Sequence, residues 1–227
     1  MMPQYILAFE SSCDDTSVAI LDTEYNVIVN LISSQPEHIE FGGILPEMAS
    51  RLHLRHILTL TKKALDISEL NLSDISAIAV SINPGLIGSL IVGLAFAKSL
   101  AWSLSLPLVT VNHMLAHLYA PQLIEPIDYP FIGLLVSGGH TVLCRVEDFD
   151  RIEVLGRTID DAAGEAFDKV AKYYGFGYPG GAAIDKLAEN GDEKAFKFPM
   201  PSLHKGEHRY DVSYSGLKTA VIYHLSS

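Results

Sequence analysis

The feature that most constrains the fold is a pattern of short strands and turns that occurs twice. Residues 5–32 alternate apolar runs with polar turns, which predicts three antiparallel strands. The same rhythm returns over residues 131–155, about 125 residues further along the chain. The two segments share the pattern but not the sequence, as expected of an old duplication. We therefore predict an α/β fold with two related halves, each contributing one turn that faces a phosphate.

Between these segments the sequence predicts helices and buried strands. Pro46 is at the first turn of a helix that runs to about Leu65, since proline is favoured at that position. Residues 75–82 are predicted to be a buried strand, and residues 107–111 are predicted to be a further strand that leads into a helix over residues 112–120.

The stretch from Leu86 to Leu106 is apolar enough to be compared with a membrane span. Pro84 and Gly85 precede it, and Lys98 lies near its middle, where a charge is costly in lipid. We therefore predict a buried helix of an α/β core and no membrane association.

Charge and cysteine content exclude several classes of protein. The 227 residues include 16 basic and 27 acidic side chains, a net charge of −11. This balance argues against a chain that grips nucleic acid unaided, because phosphate binding relies on clustered Lys and Arg. Cys13 and Cys144 are the only cysteines, so neither a disulfide framework nor a cysteine metal site is expected. Residues 1–4 lack the features of a signal peptide, and we predict a cytoplasmic protein.

A pair of histidines is the first candidate site. His113 and His117 are four residues apart on a predicted helix, which puts both imidazoles on one face. Two histidines at this spacing can share one metal ion, although most such pairs are core or surface residues. Met114 stands where the hydrolytic zinc signature has Glu, so a metalloprotease would lack its general base.

The second candidate is the turn after the apolar run that starts at Leu134. Ser137-Gly138-Gly139 lets backbone N–H groups approach a phosphate closely, because the glycines have no Cβ. The same turn is also a standard hairpin connection between two strands. Combined with the histidine pair, it suggests a metal-assisted enzyme that acts on a nucleotide-like substrate.

A predicted helix within residues 158–175 carries the third candidate. Asp161, Glu165 and Asp168 have the spacing of one helix face, and Gly175 is a plausible end of the helix. Such a face is either solvated or in contact with a ligand. A glycine-rich turn follows at 177–181, and we predict that Asp185 opens a further short helix.

The segment after Asn190 holds the one basic cluster of the chain, and it is the natural candidate for an RNA or partner contact, with a solvated loop as the default. Its members are Lys194, Lys197, His204, Lys205, His208 and Arg209.

Seven motifs occur in order along the chain. They are Ser12-Cys-Asp-Asp-Thr16, Pro84-Gly-Leu-Ile-Gly-Ser-Leu-Ile-Val-Gly93, His113-Met-x-x-His117, Leu135-Val-Ser-Gly-Gly-His-Thr141, Ile159-Asp-Asp-Ala-Ala-Gly-Glu-Ala-Phe-Asp-Lys169, Tyr178-Pro-Gly-Gly181 and Ser215-Gly-Leu-Lys-Thr219. Together they closely resemble the TsaD family of tRNA adenosine threonylcarbamoyltransferases, over essentially the whole chain.

The resemblance implies an actin/Hsp70/sugar-kinase-like (ASKHA) fold of duplicated ribonuclease H-like lobes. The first lobe would cover residues 1–125, and a second, incomplete lobe would cover residues 126–227. The implied reaction transfers threonylcarbamoyl from threonylcarbamoyl-AMP to the exocyclic amine of the adenosine beside the tRNA anticodon. The implied partners are tRNA, a smaller homologous scaffold subunit (TsaB-like) and an ATPase subunit (TsaE-like). The apolar, helix-rich surface of residues 44–66 is the candidate for one of these contacts, because heterodimers in the family pair through helices of the first lobe; packing on its own sheet is the alternative.

The resemblance also assigns site residues. His113 and His117 would bind one divalent metal ion per subunit, iron or zinc. The adenylate site would comprise Leu135, Val136, Ser137, Gly138, Gly139, Asp168, Gly181 and Asp185.

Two departures from the family pattern affect this assignment. Asp15 replaces the Glu of the family's first turn, a candidate for proton handling, and keeps the charge on a side chain one methylene shorter. Family members also run roughly a hundred residues longer, to the ~340 expected of this architecture. We expect a fragment or a truncated product that lacks an Asn contact for the adenylate and an Asp metal ligand.

Two alternatives come from the same superfamily. One is an ATP-dependent sugar kinase, against which the paired histidines and the acidic helix argue. The other is a non-catalytic scaffold subunit of the same complex. That scaffold typically lacks the metal histidines, so His113 and His117 favour the catalytic branch.

Overall fold

The structure, a computed structural model, describes residues 4–203 and 206–226. It divides into two units, Met1–Pro126 and Ile127–Ser227. The predicted α/β class is confirmed, since each unit combines one sheet with helices.

Unit 1 contains a five-stranded sheet in the order β3-β2-β1-β4-β5. The strands β1 to β3 pair antiparallel, as predicted for the first repeat, whereas β4 and β5 join β1 in parallel. Three antiparallel strands followed by two parallel ones form the sheet of a ribonuclease H-like lobe. The strands are β1 (Tyr5–Glu10), β2 (Asp15–Asp22), β3 (Val27–Ser34), β4 (Ile75–Asn83) and β5 (Leu108–Asn112).

Helical crossovers make the parallel pairing possible, because parallel neighbours cannot be joined by a tight turn. Helix α1 (Pro46–Ser68) begins with the predicted proline at its first turn and connects β3 to β4. Helix α2 (Ile87–Leu104) connects β4 to β5. Helix α3 (His113–Tyr119) follows β5 directly, where the sequence predicts the histidine-bearing helix.

The core of unit 1 lies between the sheet and helices α1 and α2. Its fully buried side chains alternate along β1, β2 and β4, as the period of two in a strand requires. On these strands they include Leu7, Ile20, Ile78 and Val80, and α1 contributes Ile57.

The prediction that α2 is a buried helix is correct only for the face that carries its small residues. Its small residues Ser89, Gly93, Ala97 and Ala101 are buried, but Ile87, Ile91 and Trp102 on other faces are exposed. An almost uniformly apolar sequence does not show which face a helix buries. By length and composition α2 is the one helix among the described residues that is apolar enough to cross a membrane, although its small-residue face packs inside unit 1.

Unit 2 begins with the predicted second repeat, an antiparallel sheet in the order β6-β7-β8. Within its described part no further strand joins this sheet. Three helices follow. The elements are β6 (Phe131–Val136), β7 (Thr141–Asp148), β8 (Arg151–Arg157), α4 (Ala163–Tyr174), α5 (Gly180–Ala188) and α6 (Ser215–Ser226).

The basic segment is irregular in the structure. Lys194, Lys197, His208 and Arg209 are exposed, whereas His204 and Lys205 lie outside the described residues.

Candidate functional site

The turn that joins β1 to β2 is polar and buried. Ser11 and Ser12 are 0% and 2% exposed, so their polar atoms need partners within the protein. The Ser11 hydroxyl donates to the carbonyl of Ser89 on α2 at 3.0 Å, and the Leu86 N–H donates to the carbonyl of Ser12 at 2.8 Å. A Cβ on Gly85 would lie 2.5 Å from that Ser12 oxygen, so the glycine is needed for packing against this turn.

Helix α3 brings the two predicted metal histidines together. The Asn112 side chain caps the helix by accepting from the N–H groups of Met114 and Leu115. The ring centroids of His113 and His117 are 4.4 Å apart and the rings are nearly perpendicular, at 84°. Imidazoles this close can direct one nitrogen each at a shared ion.

Glu10, at the end of β1, holds the first of these imidazoles. Its Oε2 lies 3.1 Å from Nδ1 of His113, and its Oε1 accepts from the Ser12 N–H. Burial alone would raise the pKa of Glu10, but hydrogen bonds from His113, Ser12 and Ser81 outweigh it and lower the pKa to about 2. An anionic partner at Nδ1 favours the tautomer with the proton on Nδ1, which leaves Nε2 of His113 as the ligating nitrogen.

Glu10 is the site residue that the sequence interpretation missed. In the sequence, its only signal was a carboxylate at the end of a predicted strand. Glu10 lies on the same face of β1 as Ala8. Both residues line an open cavity of about 360 Å³, together with Ser81, His113 and His117. A charged residue in such a position is a functional candidate because its burial must be compensated.

Asp15, the predicted catalytic residue, has a different environment. It is the first residue of β2, pairs with Ser34 and is exposed to solvent. It does not line the cavity that contains the histidine pair.

In unit 2 the predicted phosphate-binding residues form a tight hairpin turn. Leu135 and Val136 end β6, and the N–H of Ser137 donates to the carbonyl of His140 at 2.8 Å. The hairpin interpretation is therefore confirmed. It does not exclude ligand binding, because a Cβ on Gly138 or Gly139 would meet nothing within 4 Å.

The first turn of α4 lies directly against this hairpin. The N–H of Gly164 donates to the carbonyl of Ser137 at 3.2 Å, and a Cβ on Gly164 would lie 2.8 Å from Cα of Gly138. The first N–H groups of α4 donate within the protein, from Ala163 to the Thr141 hydroxyl and from Gly164 to the Ser137 carbonyl, so the open surface at this helix end is the glycine turn itself.

The prediction that three carboxylates share one face of this helix is wrong. Asp161 precedes α4, which begins at Ala163, and it forms ion pairs with Lys169 and Lys218. Glu165 also pairs with Lys169. The predicted i, i+4 spacing assumed that the helix already included Asp161.

The remaining predicted adenylate residues lie at the junction of α4 and α5. Asp168 accepts a hydrogen bond from the N–H of Gly180 at 2.7 Å and so caps α5. Gly181 has open space beside it, since the nearest atom to an added Cβ is 3.9 Å away. Asp185 is exposed and lies inside α5, which corrects the prediction that it opens this helix.

A family model and individual relatives of known name both match this chain, and they carry the same description. The family model described as TsaD, tRNA N6-adenosine threonylcarbamoyltransferase, matches residues 26–227. Proteins of that name from Treponema denticola and Borreliella burgdorferi (strain ZS7) are 58% and 52% identical, over 96% and 97% of this chain. The chain spans 64% of the length of both relatives.

Similar solved structures include YeaZ from Pseudomonas aeruginosa and the ethanolamine utilization protein EutJ from Carboxydothermus hydrogenoformans. Both have a TM-score of 0.47, with 19% and 16% sequence identity. The first covers 66% of this chain and 64% of its own, and the second covers 82% and 61%.

Asp160 binds the start of α6, and its hydrogen bonds favour the ionised carboxylate. It accepts from the hydroxyls of Ser213 and Ser215 and from the N–H groups of Tyr214 and Ser215. Burial opposes ionisation, but these bonds outweigh it and lower the pKa of Asp160 from 3.8 to about 2. A carboxylate with a lowered folded-state pKa stabilises the fold above its ordinary pKa, and this contribution is lost as the pH falls through about 2.

We therefore expect Asp160→Asn to lower the unfolding midpoint at neutral pH, and the gap from the wild type to narrow below pH about 4. Thermal melts followed by circular dichroism across this range test it. Asp150→Asn, on the exposed turn between β7 and β8, serves as the control. A gap that stays constant with pH would contradict the role of the charge.

Proposed function

This chain belongs to the TsaD family of tRNA N6-adenosine threonylcarbamoyltransferases, and we propose on that premise that it is an acyltransferase that modifies tRNA. It would transfer threonylcarbamoyl from threonylcarbamoyl-AMP to the exocyclic amine of the adenosine beside the anticodon. The observation that supports this best is the pairing of His113 and His117 with Glu10 on Nδ1 of the first ring. A tRNA-modifying enzyme acts where tRNA is, so we propose a cytoplasmic location.

His113 and His117 would hold one divalent metal ion, iron or zinc. Neutral imidazoles suit either metal, and a carboxylate on the far ring nitrogen orients the ligand and raises its basicity. Within residues 4–203 and 206–226, no group of three or more His, Cys, Asp or Glu side chains is arranged to hold an ion. Water or substrate oxygens would therefore have to supplement the two histidines among these residues. When bound, such an ion supplies a Lewis acid for a carbonyl or phosphoryl oxygen.

The hairpin turn of unit 2 would hold the adenylate. Leu135, Val136 and Ser137 lead the chain into the turn, and Gly138 and Gly139 would place main-chain N–H groups against the phosphate. The N-terminus of α4 adds its dipole at the same turn. Asp168, Gly181 and Asp185 would complete the site, since carboxylates accept hydrogen bonds from ribose hydroxyls.

Asp15 remains our candidate for proton handling. The reaction removes a proton from the attacking amine, so it needs a group that can accept one. Glu10 is a poor acceptor, because its hydrogen bonds stabilise the anion and lower its pKa. Asp15 is exposed and keeps access to solvent.

Replacing both histidines by alanine tests the metal site. We expect the wild-type chain to retain stoichiometric iron or zinc after reconstitution and desalting, and His113→Ala with His117→Ala to lose it. Elemental analysis by mass spectrometry measures the content. His208→Ala removes an exposed histidine that pairs with Asp211, and it should keep the metal. Unchanged metal content in the double variant would refute the assignment.

Gly138→Val tests the phosphate cradle. The added side chain enters open space, so the fold should tolerate it, while the approach of a phosphate is blocked. We expect the affinity for a non-hydrolysable adenylate analogue to fall at least tenfold, about 1.4 kcal/mol, in a calorimetric titration. Gly216→Val is the control, since a Cβ on Gly216 in α6 also meets nothing within 4 Å. Native affinity in Gly138→Val would contradict the cradle.

Recognition of tRNA should need partners. At a net charge of −11 the chain neutralises few phosphates, and nonspecific affinity scales with that number. We propose that a smaller scaffold homologue and an ATPase subunit complete the complex, with α1 as the candidate contact for the scaffold and the segment around Lys194, Lys197 and Arg209 as the candidate RNA contact. The exposed side chains of Leu54 and Leu58 on α1 fit the scaffold contact.

We therefore expect binding of tRNA weaker than about micromolar by the isolated chain at physiological salt, and tighter binding once the partners are added. A mobility-shift titration with and without them measures this. Submicromolar binding by the isolated chain would contradict the electrostatic argument.

A further inference from the structure

His53 lies in the middle of α1, is 0% exposed, and has no role in the chemistry proposed above. Its ring bridges the turn between β1 and β2 and the start of β2. Nδ1 is 2.8 Å from the Thr16 hydroxyl, and Nε2 is 3.0 Å from the Cys13 carbonyl. Through this one side chain, α1, which starts at Pro46, contacts both the turn and the strand that follows it.

The partners of His53 determine its tautomer. A carbonyl oxygen can only accept, so Nε2 must carry the proton that it donates to Cys13. Nδ1 is then the acceptor for the Thr16 hydroxyl. Burial lowers the pKa of His53, which favours the neutral ring that this arrangement requires.

The same turn also contacts His113. Ser12, next to Cys13, has its hydroxyl 3.1 Å from Nδ1 of His113, and its N–H donates to Glu10. On the other side, the Cys13 carbonyl also accepts from the Ser89 hydroxyl at 3.4 Å. The path from His53 to His113 therefore runs through the hydrogen bond to the Cys13 carbonyl, the backbone of Cys13 and Ser12, and the hydrogen bond between the Ser12 hydroxyl and Nδ1 of His113.

We propose that His53 is a positioning residue for the metal site: its ring, in the Nε2–H tautomer, fixes the turn from Ser11 to Thr16 and thereby the direction of the His113 ring. This inference rests on the proposed function, because it assumes that the histidine pair binds a metal. Replacing residues that orient a metal ligand without binding the metal themselves commonly lowers metal affinity by about an order of magnitude or more, since these residues set the geometry of the ligand. Glu10 contacts His113 directly, whereas His53 acts through the turn. Loss of His53 should therefore weaken metal binding, but by less than loss of Glu10.

The chain offers a matched control in His38. It is 1% exposed, its Nε2 lies 2.9 Å from Oε1 of Gln35, and its Nδ1 accepts from the N–H of Leu45. It is thus another buried histidine of unit 1 with two hydrogen bonds, but neither bond involves the turn. Loss of stability alone should be similar for His38→Gln and His53→Gln.

The test compares the wild type with His53→Gln, Thr16→Val and His38→Gln. Zn²⁺ affinity is measured by competition with a chromophoric chelator, and imidazole nitrogen shifts are measured by NMR in the metal-free chain. We expect both turn variants to bind Zn²⁺ about fivefold or more weakly and to shift the His113 resonances. His38→Gln should change Zn²⁺ affinity less than about twofold and leave His113 unmoved, even where its unfolding midpoint falls.

Each outcome decides a different point. A wild-type His53 protonated on Nδ1, or turn variants with native Zn²⁺ affinity and native His113 shifts, would overturn the inference. Should His53→Gln fail to fold, the nearly isosteric Thr16→Val decides, since it removes one of the two bonds. Zn²⁺ binding that survives His113→Ala with His117→Ala refutes the proposed metal site instead. In that case the His113 shifts in the metal-free chain still show whether His53 positions the ring.

Discussion

The buried turn between β1 and β2 is the constraint on which the rest of unit 1 depends. Polar groups taken out of water must find partners inside the protein, and none of the buried side-chain polar atoms in the described part of the chain lacks one. The partners of this turn come from three helices: His53 of α1, Ser89 of α2 and His113 of α3. The helices that build the core thus also fix the histidine site. The hydrogen bonds that hold this turn against α1 and α2 therefore lie next to the one that Ser12 makes with His113.

In unit 2, too, a helix packs against the turn that follows the first strand, but this turn offers main-chain groups instead of side chains. Its first strand also ends in a tight polar turn, and a helix packs against that turn at a glycine, Gly164. Here the turn itself is open, because Gly138 and Gly139 have no neighbours where a side chain would be. In unit 1 a side-chain network occupies the turn and directs an imidazole. In unit 2 the main chain is left accessible for an anion.

Local periodicity was sufficient to predict both three-stranded repeats, the start of α1 and the helix that carries the histidines. It failed where the answer depends on contacts distant in sequence. Glu10 became recognisable only once β1 and α3 were adjacent, 103 residues apart along the chain. Asp161 was misplaced because the N-cap of α4 is Ala162, whose side chain cannot cap the helix and so gives no sequence signal for its start. The exposed face of α2 was missed because a run of apolar residues has no direction until the sheet gives it one.

We propose that the turn between β1 and β2 orients His113 so that its Nε2 binds one metal ion together with His117. Anomalous diffraction from crystals of the zinc-loaded protein tests it most directly. We expect a zinc peak about 2.0–2.1 Å from Nε2 of His113 and from a ring nitrogen of His117, with Glu10 still bound to Nδ1 of His113. Zinc bound through Nδ1 of His113, or bound away from both histidines, would contradict it.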